Sequence, residues 1–217
     1  MRKLQIPIEK LQAILFDFDG VLCECMDVKT EAFAQLYEPY GEDIVKKVIK
    51  HHIENGGISR YVKIKLYHEK FLNKPISEGQ VEEIAQQFSD LVVEKVIASD
   101  WVKGAKKFID KFYQKIDMYV ISGTPETELK KVVKFRDMEK YFKGVYGSPI
   151  RKPEHARRII SEHNYDDDKV IYIGDSLSDM NDAKTANIPF LGRIPPREEF
   201  FFPKEILTIR NFNDIKM

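Results

Sequence analysis

Short apolar runs that stop abruptly in polar residues and glycine recur along the chain. Leu11–Leu15 continues into Phe16 and ends in Asp17-Phe18-Asp19-Gly20. Met118–Ile121 ends in Ser122-Gly123-Thr124-Pro125, and Lys169–Ile173 ends in Gly174-Asp175-Ser176. Ile188–Leu191 is shorter and ends in Gly192-Arg193. A weaker run, Gly144-Val145-Tyr146, precedes Gly147-Ser148-Pro149. Runs of this kind predict buried parallel strands with the polar residues in the loops at their C-terminal ends. Between them the apolar positions return at helical spacing. Lys103–Gln114 puts Ala105, Phe108, Ile109 and Phe112 on one stripe, and Glu126–Phe135 is amphipathic after Pro125. Pro153–His163 opens with proline and carries Ala156, Ile159 and Ile160, while Asp179–Ala186 is a further helix. The alternation predicts an α/β fold: a doubly wound, Rossmann-like parallel sheet covered on both faces, with ligands at the carboxyl ends of the strands.

Residues 23–99 break that rhythm. Their patterns predict helices over Val28–Tyr37, Asp43–His51, Ser59–Phe71 and Ser77–Ala98, with no clear strand. A stretch of this size after the first strand predicts an inserted all-helical domain on a core formed by residues 1–22 and 100–217.

Composition narrows the function classes. The 217 residues are 43% apolar, with 35 basic and 35 acidic side chains, as in an ordinary soluble globular protein. A net charge of zero gives no general attraction to nucleic acid or to an anionic membrane, so neither is an expected partner. The chain lacks the run of about 18 apolar residues that a membrane span requires. Met1–Lys10 has no long apolar run or small-residue cleavage site, so a secretory signal is not expected and a cytoplasmic location is. Cys23 and Cys25, the two cysteines, read as reduced packing thiols.

The chemistry lies at the strand ends. Hydrolysis of a phosphate ester is among the slowest reactions in water, and a carboxylate nucleophile eases it by splitting it into two displacements. An anion attacking an anion needs a cation between them, such as Mg²⁺. Asp17 fits the nucleophile. Asp19, two residues on, could protonate the leaving oxygen and later deprotonate water. Gly20 allows the sharp turn. Ser122 offers a hydroxyl, and Gly123 a backbone N–H, to phosphoryl oxygens, and Lys152 offers positive charge. Asp175 and Asp179 would complete, with Asp17 and Asp19, an all-oxygen Mg²⁺ site. Each residue also has a plainer reading. Asp17 and Asp19 could form a turn, Ser122-Gly123 could be a strand–helix connection, and Asp179 could be a helix N-cap. Lys152 could be solvated, with Arg151 as the phosphate partner. Asp182 and Asp166-Asp167-Asp168 read as surface.

The set, in order, resembles the haloacid dehalogenase superfamily of aspartate-nucleophile phosphatases. The carrying segments are Ile14–Leu22 around Asp17 and Asp19, Val120–Thr124 around Ser122, Gly147–Lys152, and Ile173–Asp179 around Asp175. The resemblance implies the two-domain fold, with residues 23–99 as the cap, and the roles above for the matching residues. The family's dehalogenases lack the second aspartate and its phosphonate-cleaving members use a cap lysine, so Asp19 argues against both. With no membrane span, an ion pump is not expected. Asn55–Lys63 is similar to the specificity loop of the β-phosphoglucomutase branch, close to the phosphoglycolate phosphatases. There Gly57, Ser59, Arg60 and Lys63 would bind the non-reacting end of the substrate; a helix–helix turn with a surface arginine is the plainer reading. The Thr and His that the mutase branch carries after its second aspartate are here Cys25 and Lys29, a departure that favours hydrolysis. The expectation is a phosphatase of a small phosphorylated metabolite, a sugar or polyol phosphate, in a monomer or weak dimer. A phosphomutase and a non-catalytic relative that binds phosphorylated ligands are the alternatives.

Overall fold

The computed structural model describes residues 7–196 and 201–216; Met1–Ile6, part of the stretch read for a signal, lie outside them. The first strand, β1 (Ala13–Phe16), sits in the middle of the sheet. The inserted helices follow: α1 (Met26–Tyr37), α2 (Glu42–Glu54), α3 (Arg60–Leu66) and α4 (Glu78–Ala98). The remainder alternates: α5 (Ala105–Phe112), β2 (Asp117–Pro125), α6 (Glu126–Phe135), β3 (Gly144–Ser148), α7 (Lys152–His163), β4 (Val170–Gly174), α8 (Leu177–Thr185), β5 (Phe190–Arg193) and β6 (Thr208–Ile209). All sheet pairings are parallel, in the order β3-β2-β1-β4-β5-β6.

Every residue of β1 is buried because both faces of the sheet are covered. Ile14 and Phe16 pack with Phe108, Ile109 and Phe212 on one side; Ala13 and Leu15 pack with Ala156, Ile159 and Ala183 on the other. That explains the unbroken apolar run in the sequence. No helix among the described residues is long and apolar enough to cross a membrane.

The differences from the expected elements have local causes. Leu11 and Gln12 follow a 3₁₀ turn, Ile8–Lys10, which delays β1. Ser59–Phe71 is broken: α3 ends at Leu66 and the chain tightens into a π-helical turn over Tyr67–Phe71. The helix expected from Asp179 starts two residues earlier, because Ser176 caps it with its Oγ accepting from the Asp179 N–H at 3.1 Å. Asp179 is therefore not the N-cap. β6 is too short to show any periodicity.

The chain leaves the sheet for the helical insert and returns to it at one spot. Glu24 N–H donates to Asp100 O at 2.9 Å, Val102 N–H donates to Leu22 O at 3.0 Å, and Cys23 bridges antiparallel to Trp101.

Candidate active site

Neighbouring parallel strands end at one rim, so the segments after β1 and β4 deliver three carboxylates to one place. Asp17 follows β1, Asp175 follows β4, and Asp179 stands in the first turn of α8. Each offers a carboxylate oxygen within 4.8 Å of the others, and all three residues are buried. The approach is close enough to require glycine at position 20. Its φ is +72°, and a Cβ there would lie 1.9 Å from Asp175 Oδ2.

Lys152 opens α7, one residue before the proline that suits a first-turn position. Its Nζ donates to Asp17 Oδ1 at 2.9 Å and to Asp179 Oδ1 at 2.6 Å. Burial opposes its charge, but the two carboxylates win and lift it well above the ordinary lysine range. It is thus not a solvated lysine. Asp179 also accepts from Ser176 Oγ at 2.6 Å and from the Tyr172 hydroxyl at 3.3 Å. One ammonium does not balance three buried acids. Burial, against the pull of Lys152, lifts Asp17 to about 7, and burial with Asp17 and Asp179 lifts Asp175 well above the carboxylate range. Hard oxygen donors carrying surplus negative charge suit a divalent cation such as Mg²⁺.

Asp19 stands apart from that cluster. The sequence reading groups its carboxylate with the other three; in the structure it turns toward the inserted helices. Its Oδ2 accepts from Lys29 Nζ at 2.5 Å, Thr124 Oγ1 at 3.1 Å and Ser122 Oγ at 3.4 Å. Its Oδ1 accepts from Cys25 Sγ at 3.0 Å. Burial disfavours the charged form, yet the Lys29 ammonium and these hydrogen bonds hold Asp19 down at about 2. Lys29, Thr124 and Cys25 were not among the expected site residues.

Asp17, Asp19, Ser122 and Gly123 line a cavity of about 50 Å³ together with Gly57, Arg60 and Lys63 of the insert. Gly57 and Gly123 let the insert approach the core, since a Cβ on Gly123 would lie 2.4 Å from Gly57 O. Ser59 precedes α3 and does not line the cavity. Arg60 does, and it is buried rather than on the surface, but its fork is already engaged. Nη1 and Nη2 bond the Glu128 carboxylate of α6 at 2.9 and 2.5 Å, Nη1 also donates to Ser89 Oγ, and the guanidinium lies 4.5 Å from the centre of the Phe88 ring. This contact ties the insert to the core.

His52 lines the same cavity, wedged against Phe33 with ring centres 4.8 Å apart. Burial, reinforced by Lys63 and Lys29, pushes it down to about 2, so it is neutral when folded. An unfolded histidine titrates near 6.5. The stability this residue confers is therefore complete above about 6.5 and lost as pH falls toward about 2, reaching about 2 kcal/mol at pH 5. His51, His68 and His155, also held down by burial, act in the same direction. Urea midpoints at pH 7.5 and 5 should fall more in the wild type than in His52→Gln; equal falls would remove the assignment.

Comparison with known proteins agrees with this fold. The profile described as haloacid dehalogenase-like hydrolase matches residues 14–193. A phosphorylated carbohydrates phosphatase of Thermotoga maritima is 24% identical over 183 residues, 82% of either chain. Among solved structures, CbbY of Rhodobacter sphaeroides in complex with xylulose-(1,5)bisphosphate superposes with a TM-score of 0.71 at 16% identity, covering 93% of this chain and 95% of that one. A haloacid dehalogenase-like family hydrolase of Streptococcus pneumoniae gives 0.63 at 21% identity, covering 84% of each.

Proposed function

Given that the chain belongs to the haloacid dehalogenase-like hydrolase family and is a hydrolase of phosphate monoesters, we propose that it is a Mg²⁺-dependent phosphatase of a small sugar or polyol phosphate, carrying the phosphoryl group on Asp17. The observation that supports this reading is the meeting of Asp17, Asp175 and Asp179 at one point, with Lys152 bonded to two of them. The name of the Thermotoga relative supports the substrate class.

In the first displacement an Asp17 oxygen bonds to phosphorus, the bond from phosphorus to the ester oxygen breaks, and the leaving oxygen takes a proton from Asp19. In the second, a water oxygen bonds to phosphorus, its proton passes to Asp19, and the bond to Asp17 breaks to release inorganic phosphate. Ser122 and the Gly123 N–H donate to the phosphoryl oxygens, and Lys152 orients Asp17 and offsets its charge. A bound Mg²⁺, held by Asp17, Asp175 and Asp179, would neutralise the repulsion between nucleophile and phosphate. With Lys29 beside it, Asp19 rests in the base form before substrate binds, so it first takes the proton of a substrate phosphate that arrives as the monoanion and then passes that proton to the leaving oxygen.

Residues 23–99 act as a cap over the core of residues 1–22 and 100–217. A cavity of about 50 Å³ has room for only a few waters. In this reading the cap lifts to widen the site for substrate and then closes over it, reducing contact with bulk solvent. Two buried free thiols, Cys23 and Cys25, agree with a reducing cytoplasm.

EDTA should abolish turnover of para-nitrophenyl phosphate and Mg²⁺ restore it; full activity in chelator contradicts the metal role. Because Asp17 sits at about 7 and must shed its proton to bind a cation, Mg²⁺ should raise the melting temperature more at pH 8 than at pH 6. Incubating a sugar monophosphate and assaying free phosphate against isomerised product separates the phosphatase from the mutase. No turnover of any ester would leave only the ligand-binding relative.

A further inference from the structure

Arg193, the last residue of β5, is only 1% exposed and stands at the rim where β1 and β4 also end. A guanidinium keeps its proton in a protein, so the buried charge has to be held by acceptors. Among the described residues three acceptors hold its fork. Nη1 donates to the Gly20 carbonyl oxygen at 2.9 Å, Nη2 to Glu24 Oε1 at 2.5 Å, and Nε to the Arg210 carbonyl oxygen at 3.2 Å. They belong to separate stretches of chain: the turn after β1, the entry to the inserted helices, and the residue after β6. Glu24 also donates its backbone N–H to Asp100 O at 2.9 Å, so the carboxylate that Arg193 holds stands where the chain enters and leaves the insert.

The turn after β1 is tightly wound. Gly20 N–H donates to Cys23 O at 2.8 Å, and the N–H groups of Leu22 and Cys23 both donate to Phe18 O, at 3.0 and 3.1 Å. These bonds set the internal shape of the turn, not its place on the core. A buried carbonyl needs a partner, and Gly20 finds it in Arg193. Gly20 follows Asp19 directly and passes so near Asp175 that a shift of this turn moves Asp19 and disturbs the acids together. A displacement of about 1 Å at a reacting group costs about 10²-fold in rate.

We infer that Arg193 is a positioning residue for the hydrolysis: by joining the Gly20 carbonyl to the Glu24 carboxylate it fixes the turn against the root of the insert and so places Asp19 for proton transfer, a role that rests on the phosphatase reading for the work of Asp17 and Asp19. Arg193 acts through the backbone of the turn. A planar fork with donors in fixed directions suits that task better than a lysine, whose ammonium is a single point of charge.

Turnover of para-nitrophenyl phosphate in saturating Mg²⁺ is measured for Arg193→Met, Arg193→Lys and Glu24→Ala, each checked for folding by urea titration. Arg193→Met should lower kcat about 10²-fold and change KM by less than about threefold. Arg193→Lys, which still donates to a carbonyl, should regain about tenfold of that loss. Glu24→Ala keeps the Gly20 bond but frees the other end of the fork, and should lower kcat about three- to tenfold at the same KM. A folded Arg193→Met with the kcat of the wild type overturns the proposal, as does a loss confined to KM or one that Arg193→Lys does not reduce. Wild-type kcat in Glu24→Ala overturns it as well, and that variant decides if Arg193→Met does not fold. No turnover by the wild type defeats the phosphatase reading alone. Amide hydrogen exchange then tests Arg193: exchange at Gly20 and Cys23 should quicken at least about tenfold in Arg193→Met and to a smaller extent in Glu24→Ala, and unchanged protection in both overturns the proposal.

Discussion

Replacing Asp17 by Asn should lower turnover of any phosphate ester by roughly 10⁴-fold while leaving the protein at least as stable as the wild type. The loss follows from chemistry, because the amide keeps the volume but has no anionic oxygen to bond to phosphorus. The stability follows from electrostatics. Burial and the neighbouring acids raise Asp17 to about 7, far above the unfolded carboxylate. Its charge is therefore a liability in the folded state, and the metal-free wild type loses stability as pH rises through the interval from about 4 to about 7. Asn removes that loss, which should raise stability at pH 8 on the order of 1–3 kcal/mol. Urea titration and a phosphate-release assay on the same preparation measure both halves. Beryllium fluoride should modify Asp17 in the wild type and nothing in the variant. Retained activity, or modification at another side chain, refutes the nucleophile.

Replacing Lys152 by Met should move stability the opposite way. The ammonium sits between Asp17 and Asp179 and is the cation in direct contact with both. Without it buried carboxylates remain uncompensated, a change that costs about 3–5 kcal/mol when one partner of a buried pair is removed. Mg²⁺ should recover part of that, since it supplies charge at the same cluster. Turnover should fall about 10²–10³-fold from the lost stabilisation of the attacking group and the transferred phosphate. Denaturation with and without Mg²⁺ is the decisive measurement. A Lys152→Met protein as stable as the wild type in EDTA would mean that the three acids are neutral without the lysine.

The two variants separate what the chain announces from what only folding creates. Asp17, Ser122 and Asp175 were legible because each lies where an apolar run stops, and a parallel sheet brings such points to one rim. Lys152, just ahead of the helix expected from Pro153, was singled out by the resemblance rather than by any pattern of its own. The surroundings of Asp19 were not. Lys29 is one polar position on an amphipathic helix, and it meets Thr124 from a segment 95 residues away. Arg60 was recognised as important but its partner was not, since Glu128 looks like any first-turn acid of α6. His52 lies one residue past the helix expected over Asp43–His51 and drew no reading; only the packing of Phe33 against it shows that it is enclosed. Periodicity reports which face of an element is buried, not which polar residues of two distant elements meet.

The side-by-side passage of Leu22–Glu24 and Asp100–Val102 has a consequence for how such a chain can change. Four helices hang from a single doorway, so they can be lengthened, trimmed or exchanged without shifting the register of any strand. An exchanged insert would carry Lys29 away with it, so its replacement must bring another cation to Asp19.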